Sequence, residues 1–198
     1  MKNNKTYKYY FIAGEASGDL HGSHLIKNIK DVDSNVSFVG VGGPLMEKQG
    51  LKSLVPINRL AVLGFWEVFK KLFFFIKLKK TITEDILKTK PDKIILIDYP
   101  GFNLKIAQSI KAVCNIKIIY YVSPQLWAWK EKRIHIIKKY IDKMIVLFPF
   151  EQDWYAKHNF SVVYLGHPLI ELHDNFLIEY QKKSFDADYV VALLPGRR

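Results

Sequence analysis

The sequence predicts a doubly wound α/β domain built on a parallel sheet, and three observations predict it. Short apolar β-rich runs recur along the chain, each is near-continuous rather than alternating, and a segment of helical length separates most neighbours. Strands buried on both faces read as unbroken apolar runs, and parallel neighbours need a crossover between them. The 198 residues are long enough for one sizeable α/β core and short for two.

The first strand is expected at 8–13 and runs into the turn Gly14-Glu-Ala-Ser-Gly-Asp-Leu-His-Gly22, before a helix at 18–30. In open α/β folds such a turn lies at the sheet edge where ligands bind. Its spacing differs from the G-x-G-x-x-G dinucleotide fingerprint, and Glu15 places a negative charge where a pyrophosphate would sit, so a hydroxyl-bearing ligand fits better. Ser17 and Asp19 also suit a plain helix cap. A second strand at 36–41 and a short helix at 44–49 follow.

A helix at 64–88 comes next and is the most unusual element. Phe65, Phe69, Leu72, Phe73 and Ile76 form one stripe at helical spacing, as a core-facing helix shows, while Trp66, Phe74 and Phe75 fall outside it with no obvious core to enter, among Lys70, Lys71, Lys77, Lys79 and Lys80. Aromatics interleaved with lysines compose a helix lying in a membrane interface; an oligomer contact also tolerates exposed aromatics. The strand at 93–97 then ends in Asp98-Tyr-Pro-Gly-Phe-Asn103, ahead of a helix at 104–113. A carboxylate at the end of a buried strand is desolvated, which raises its pKa and suits a general base; a cap of the next turn is the other reading.

The strand at 116–122 leads into Ser123-Pro-Gln-Leu-Trp-Ala-Trp129, which gathers a hydroxyl, an amide and two indoles in one loop. Flat aromatic faces with polar neighbours suit a sugar or acyl chain, and equally a lid over the core. Helices at 130–140 and 149–158 alternate with strands at 144–147 and 162–165. The polar stretch 171–188 approaches a domain boundary, and the strand at 190–194 with Pro-Gly-Arg-Arg reads as the opening of another βα unit whose helix is missing. The alternative is an edge strand added to the first sheet, with a frayed tail.

Hydrophobic residues make up 49% and charged residues 25%, which excludes disordered and fibrous classes. Cys114 is the single cysteine, so no disulfide scaffold or thiolate cluster is expected, and a reducing cytoplasmic setting fits. His21 and His24 lack a third ligand at metal spacing, His167 reads as a loop residue, and no metal is expected. Lysines interrupt the apolar runs before about 18 residues, which excludes a spanning helix and leaves peripheral contact. A net charge of +11 favours anionic partners. Nucleic acid is not expected among them, because the basic cluster sits beside bulky apolar side chains rather than along one basic and aromatic groove.

Further motifs join these in order. With Gly14-Glu-Ala-Ser-Gly-Asp come Val39-Gly-Val-Gly-Gly-Pro-Leu-Met, Leu60-Ala-Val-Leu-Gly, Ile97-Asp-Tyr-Pro-Gly-Phe-Asn and Tyr121-Val-Ser-Pro-Gln-Leu-Trp-Ala-Trp. Phe148-Pro-Phe-Glu, Gly166-His-Pro and Leu193-Leu-Pro-Gly complete the series. Together they make the chain resemble lipid-A-disaccharide synthase, a glycosyltransferase of lipid A biosynthesis, over essentially its whole length.

The resemblance implies a GT-B architecture of two Rossmann-like domains in a longer protein: 1–170 as the N-terminal acceptor-binding domain, 171–188 as linker, and 189–198 as the start of a truncated donor-binding domain. It implies inverting transfer of 2,3-diacylglucosamine from its UDP conjugate to the 6-hydroxyl of 2,3-diacylglucosamine 1-phosphate, giving a β-1,6 disaccharide and UDP without metal or cofactor. Asp98 matches the family's essential aspartate as base, and Arg198 falls on the arginine that stabilises departing UDP, with Arg197 standing where the family has Ser. Substrate contacts are implied at Gly14, Glu15, Ser17, Gly18, Asn103, Ser123, Gln125, Trp127 and Gly196, and membrane contact at Phe65, Trp66, Phe69, Leu72, Phe73, Phe74, Phe75 and Ile76. The implied partners are a UDP-activated acylated sugar, an acylated sugar phosphate, the cytoplasmic face of the inner membrane and, in the full-length protein, a second copy. Another GT-B sugar-nucleotide transferase or epimerase, and a non-catalytic basic module, are the competing classes.

Overall fold

A computed structural model of the chain describes residues 5–56 and 68–170, the side chains of 56 and 68–73 excepted. Contacts divide the chain into a unit over 1–166 and another over 167–198. In the second, residues 167–170 form a turn closed by the Ile170 N–H on the His167 carbonyl at 3.0 Å.

The first unit carries β1 (Tyr7–Ala13), α1 (Ala16–Val32), β2 (Val36–Gly42), α2 (Pro44–Lys48), β3 (Leu51–Pro56), α3 (Val68–Thr89), β4 (Lys93–Ile97), α4 (Pro100–Val113) and β5 (Lys117–Tyr121), and then α5 (Ile134–Tyr140), β6 (Lys143–Val146), α6 (Phe150–Lys157) and β7 (Val163–Tyr164). Its strands form one sheet in the order β3-β2-β1-β4-β5-β6-β7. Every neighbouring pair is parallel, so the predicted doubly wound, Rossmann-like α/β class is the observed one.

Alternate residues of β1 serve opposite faces. Tyr10 and Ile12 join Ile94 and Leu96 with α3 and α4 on one side, while Phe11 and Ala13 join Ile95 and Ile97 with Ile26 of α1 and Met46 of α2 on the other. Two-sided burial is the reason these strands read as unbroken apolar runs.

β3 has no counterpart among the sequence predictions. Leu51-Lys-Ser-Leu-Val-Pro is an edge strand with Lys52 and Leu54 exposed, and it holds to β2 across an irregularity between Gly40 and Gly42. The Ser53 hydroxyl lies 3.2 Å from the Gly42 carbonyl it donates to. α4 begins at Pro100 instead of 104, because Tyr99 takes the N-cap position with φ 47° and proline suits the first helical position.

The core face of α3 also needs correction. Leu78, Ile82 and Ile86 are buried, and Phe74 and Phe75 pack half-buried against the same cluster, whereas Ile76 is 52% exposed. Phe74 and Phe75 therefore do have a core to enter, and Ile76 does not continue a core stripe. An aromatic helix flanked by lysines looks apolar on several faces, and only its neighbour α4 selects one. Phe75 lies 5.4 Å from Phe102 and 6.3 Å from Tyr99, ring centre to ring centre.

Asp19 caps a helix, but not its own. It is 4% exposed, and its carboxylate accepts the N–H groups of Gly43 (2.9 Å), Leu45 (3.1 Å) and Met46 (3.0 Å), the otherwise unpaired donors opening α2.

Candidate active site

The winding direction of the sheet reverses between β1 and β4, which is where open α/β sheets leave a crevice beyond their carboxyl ends. Ala13 pairs with Ile97, so the chain emerges side by side at Gly14 and Asp98. A Cβ on Gly14 would come within 2.5 Å of the Tyr99 ring, so the bare backbone there lets the ring lie across it. Glu15 follows as the N-cap of α1. Burial raises the Tyr99 phenol pKa, and the charge of Glu15 adds to that shift.

Asp98 is half-buried. Asp98 and Tyr99 both hold left-handed backbone, φ 46° and 47°, a conformation that costs non-glycine residues about 1–3 kcal/mol each and persists only where surroundings enforce it. Those surroundings are specific. The Asp98 N–H donates to the Tyr121 carbonyl at 3.0 Å, and the Asp98 carbonyl accepts from Asn103 Nδ2 at 2.8 Å and from the Tyr120 hydroxyl at 2.6 Å. Asn103 Nδ2 also reaches the Ile97 carbonyl at 3.1 Å. Burial pushes the Tyr120 phenol far up, with the Asp98 charge contributing, so it stays a donor.

The remaining predicted residues divide by environment. Gly18 is buried, packing α1 on β1, where an added Cβ would sit 3.3 Å from that of Ala13. Asn103 is fully buried with its amide on carbonyls, and its Oδ1, like the Ser17 hydroxyl, is buried with no hydrogen-bond partner among the described residues. These two polar atoms belong to the two segments that bound the crevice. Ser123 is buried, 2.8 Å from the Tyr155 hydroxyl, while Gln125 is exposed and its carbonyl closes a turn with the Ala128 N–H at 3.2 Å. Trp127, 41% exposed, meets Phe150 edge-on at 5.1 Å, and Phe150 stacks on Phe148.

Glu151, the acid of Phe148-Pro-Phe-Glu, has no role among the sequence expectations. Its carboxylate is 1% exposed and accepts the N–H groups of Leu147 (3.1 Å) and Phe148 (3.0 Å). Burial raises its pKa, opposed by those two amides, the Ser123 hydroxyl and the Trp127 indole. Glu151 thus ties the turn after β6 to the start of α6. An acid following an aromatic-proline turn was the available signal.

A hollow of about 420 Å³ opens between α3 and α4, lined by Tyr99, the chain neighbour of Asp98, and by Phe75, Gly101 and Phe102 together with Lys79 and Lys105. Gly196, Arg198, Phe65 and Trp66 lie outside the described residues, as do the side chains of Phe69, Leu72 and Phe73. Among the described residues no group of three or more His, Cys, Asp and Glu could hold a metal ion. No helix among them is long and apolar enough to cross a membrane.

With this geometry in place, comparison with known proteins assigns the family. A profile described as lipid-A-disaccharide synthetase matches residues 9–198. The chain belongs to the lipid-A-disaccharide synthetase family. It is 41% identical over 191 residues to lipid-A-disaccharide synthase 1 of Legionella pneumophila, covering 94% of this chain and 50% of that one. It is 42% identical over 191 residues to a lipid-A-disaccharide synthase of Coxiella burnetii, with the same two coverages. A second Legionella pneumophila enzyme, lipid-A-disaccharide synthase 2, is 39% identical over 202 residues, covering 100% of this chain and 52% of that protein. The chain therefore spans about half the length of the curated relatives it matches. In this member of the family the seven-stranded parallel sheet is a Rossmann-like sheet of the GT-B kind.

Proposed function

We propose that this chain is the acceptor-side half of a glycosyltransferase that joins two acylated glucosamine units. The donor is 2,3-diacylglucosamine carried on UDP, and the acceptor is 2,3-diacylglucosamine 1-phosphate. Asp98 is the base. As the acceptor's 6-hydroxyl attacks the anomeric carbon, the carboxylate takes its proton, the bond to UDP breaks with UDP carrying off the electron pair, and the configuration inverts.

The observation that carries this reading is the placement of Asp98: a carboxylate at the carboxyl end of a central strand, on the sheet's reversal point, with its backbone clamped in a left-handed conformation. A base helps when it is held within reach of its proton, and fixing the backbone removes freedom the side chain would otherwise spend. Gly14, Glu15 and Ser17 form the facing wall, with Gly18 supporting it from behind where α1 packs on β1, and Ser123, Gln125 and Trp127 form the loop beyond β5. Residues 171–188 are proposed as linker, and Gly196 and Arg198 as the start of the donor side, with Arg198 meeting the charge that develops on UDP.

For the membrane side, the aromatic and lysine-rich composition of Phe65, Trp66, Phe69, Leu72, Phe73 and Ile76 with Lys70, Lys71 and Lys77 supports contact with an anionic lipid surface, from which both acylated substrates are drawn. The test is Asp98→Asn in a protein carrying both halves of the relatives' length. It is expected to keep fold and substrate binding while kcat falls by about 10²–10⁴-fold, as for a lost general base. Turnover at the parent rate refutes the role.

A further inference from the structure

We propose that the hollow between α3 and α4 is the binding subsite for one aliphatic chain of a phosphorylated lipid acceptor, held open by Gly101 and drawing its phosphate to Lys79 and Lys105. The proposal rests on Asp98 as the base, because Tyr99, next to it in the chain, lines the hollow.

The shape fits a chain. The volume of about 420 Å³ lies in the range of small-molecule sites, and the lining is a triangle of rings: Phe75 to Phe102 at 5.4 Å, Phe75 to Tyr99 at 6.3 Å and Tyr99 to Phe102 at 6.2 Å. Burial of methylenes against rings is the interaction such a lining offers.

Gly101 points the same way by a different route. It is the second residue of α4, it does not hold a positive φ, and an added Cβ would meet no atom within 4 Å. Among the described residues neither backbone conformation nor packing asks for glycine there, and glycine inside a helix is less stable than alanine. What a side chain at 101 would do is fill the hollow.

The charges complete the ligand class. Neither Lys79 nor Lys105 has an ion-pair partner among the described residues, unlike Lys80, which pairs with Glu84, and Lys111, which pairs with Asp142. Two ammonium groups without an ion-pair partner among the described residues, beside an apolar, ring-lined hollow, recognise an anion attached to a hydrocarbon. A phosphorylated glycolipid supplies both, and places a sugar hydroxyl beside Asp98.

The experiment titrates decyl phosphate, decyl glucoside and inorganic phosphate into the 198-residue chain below micelle formation, by calorimetry. Decyl phosphate is expected to bind one to one, about tenfold more tightly than decyl glucoside, with inorganic phosphate alone giving no heat. Gly101→Leu should weaken decyl phosphate and decyl glucoside alike by about tenfold or more, while Gly101→Ala, which leaves most of the space, stays near the parent. The double variant Lys79→Ala/Lys105→Ala should bring decyl phosphate down to the affinity of decyl glucoside and leave the latter unchanged. Circular dichroism and melting show that each variant is folded.

Parent-like binding of decyl phosphate to folded Gly101→Leu overturns the subsite, and a phosphate preference surviving in the double lysine variant overturns the role of the lysines. Loss of co-sedimentation with phosphatidylglycerol vesicles in Gly101→Leu would overturn the proposal in favour of a bilayer-lipid site. Asp98→Asn binds decyl phosphate as the parent does, so a failed subsite and a failed base give different results.

Discussion

Asn103 and Tyr120 hold the Asp98 carbonyl from two sides, and neither carries charge to a substrate. Their contribution is to keep two consecutive left-handed residues in place, which makes them positioning residues. Asn103→Ala leaves the carbonyls of Ile97 and Asp98 without that donor, a change expected to cost about 1–3 kcal/mol. Tyr120→Phe removes one donor and keeps the ring, so its cost should be smaller. In a protein carrying both halves, both variants should lower kcat with little change in KM and should move the acidic limb of the pH–rate profile, because the carboxylate they orient is displaced. Urea melts alongside the pH profiles separate the two effects. Lost stability with an unaltered kcat and pH profile would reduce both residues to scaffolding.

At the scale of elements, the end of α6 carries a pH-dependent tie. His158 follows the helix, with Nδ1 2.8 Å from the Trp154 carbonyl and Nε2 2.9 Å from Glu131 in the 3-10 turn Glu131–Arg133 before α5. The hydrogen bond to Trp154, then the Glu131 carboxylate, raise its pKa above the ordinary value. A histidine whose folded pKa is raised adds stability that is full below its unfolded value, about 6.5, and is lost as pH rises through the folded value. The melting temperature of the parent should therefore exceed that of His158→Gln most at about pH 5.5, and the gap should shrink by about pH 9. Because Glu131 is 66% exposed, added salt should narrow the gap at low pH. A gap independent of pH would assign the difference to the ring contact of His158 with Trp154, whose centres lie 4.2 Å apart, and not to charge.

For the whole molecule, a sheet that winds outward from its centre presents its loops at one edge, and the proposed acceptor, base and chain-binding groups all belong to that edge or to the α3–α4 face beside it. Transfer needs the donor there as well. Since relatives are about twice as long, the chain by itself should bind decyl phosphate and yet form no disaccharide from UDP-activated donor and acceptor, and a protein supplying both halves should form it. Chromatography of the lipid products reads this directly, and disaccharide made by the isolated chain would show that this half holds both substrates.

The amino-acid sequence by itself determined the parallel sheet and the placing of its loops. β1, β4 and β5 are central, and burial on both faces demands unbroken apolar runs that no surface strand would carry. The motif residues at 14–18, 98–103 and 123–129 fall directly after those strands for the same reason. What only the tertiary structure decided are the relations between residues far apart in the chain. β3 is an edge strand with too little apolar periodicity to announce itself, and it exists through its pairing with β2. The core face of α3 was chosen by Tyr99 and Phe102, because a helix bearing aromatics on several sides has no single apolar direction of its own. Asp19 caps a helix that starts 25 positions later, and the Asn103 amide serves a backbone that only a fold brings beneath it. Periodicity reports which side of an element is apolar. It carries no information about which distant group will meet it, and that pairing is settled by packing.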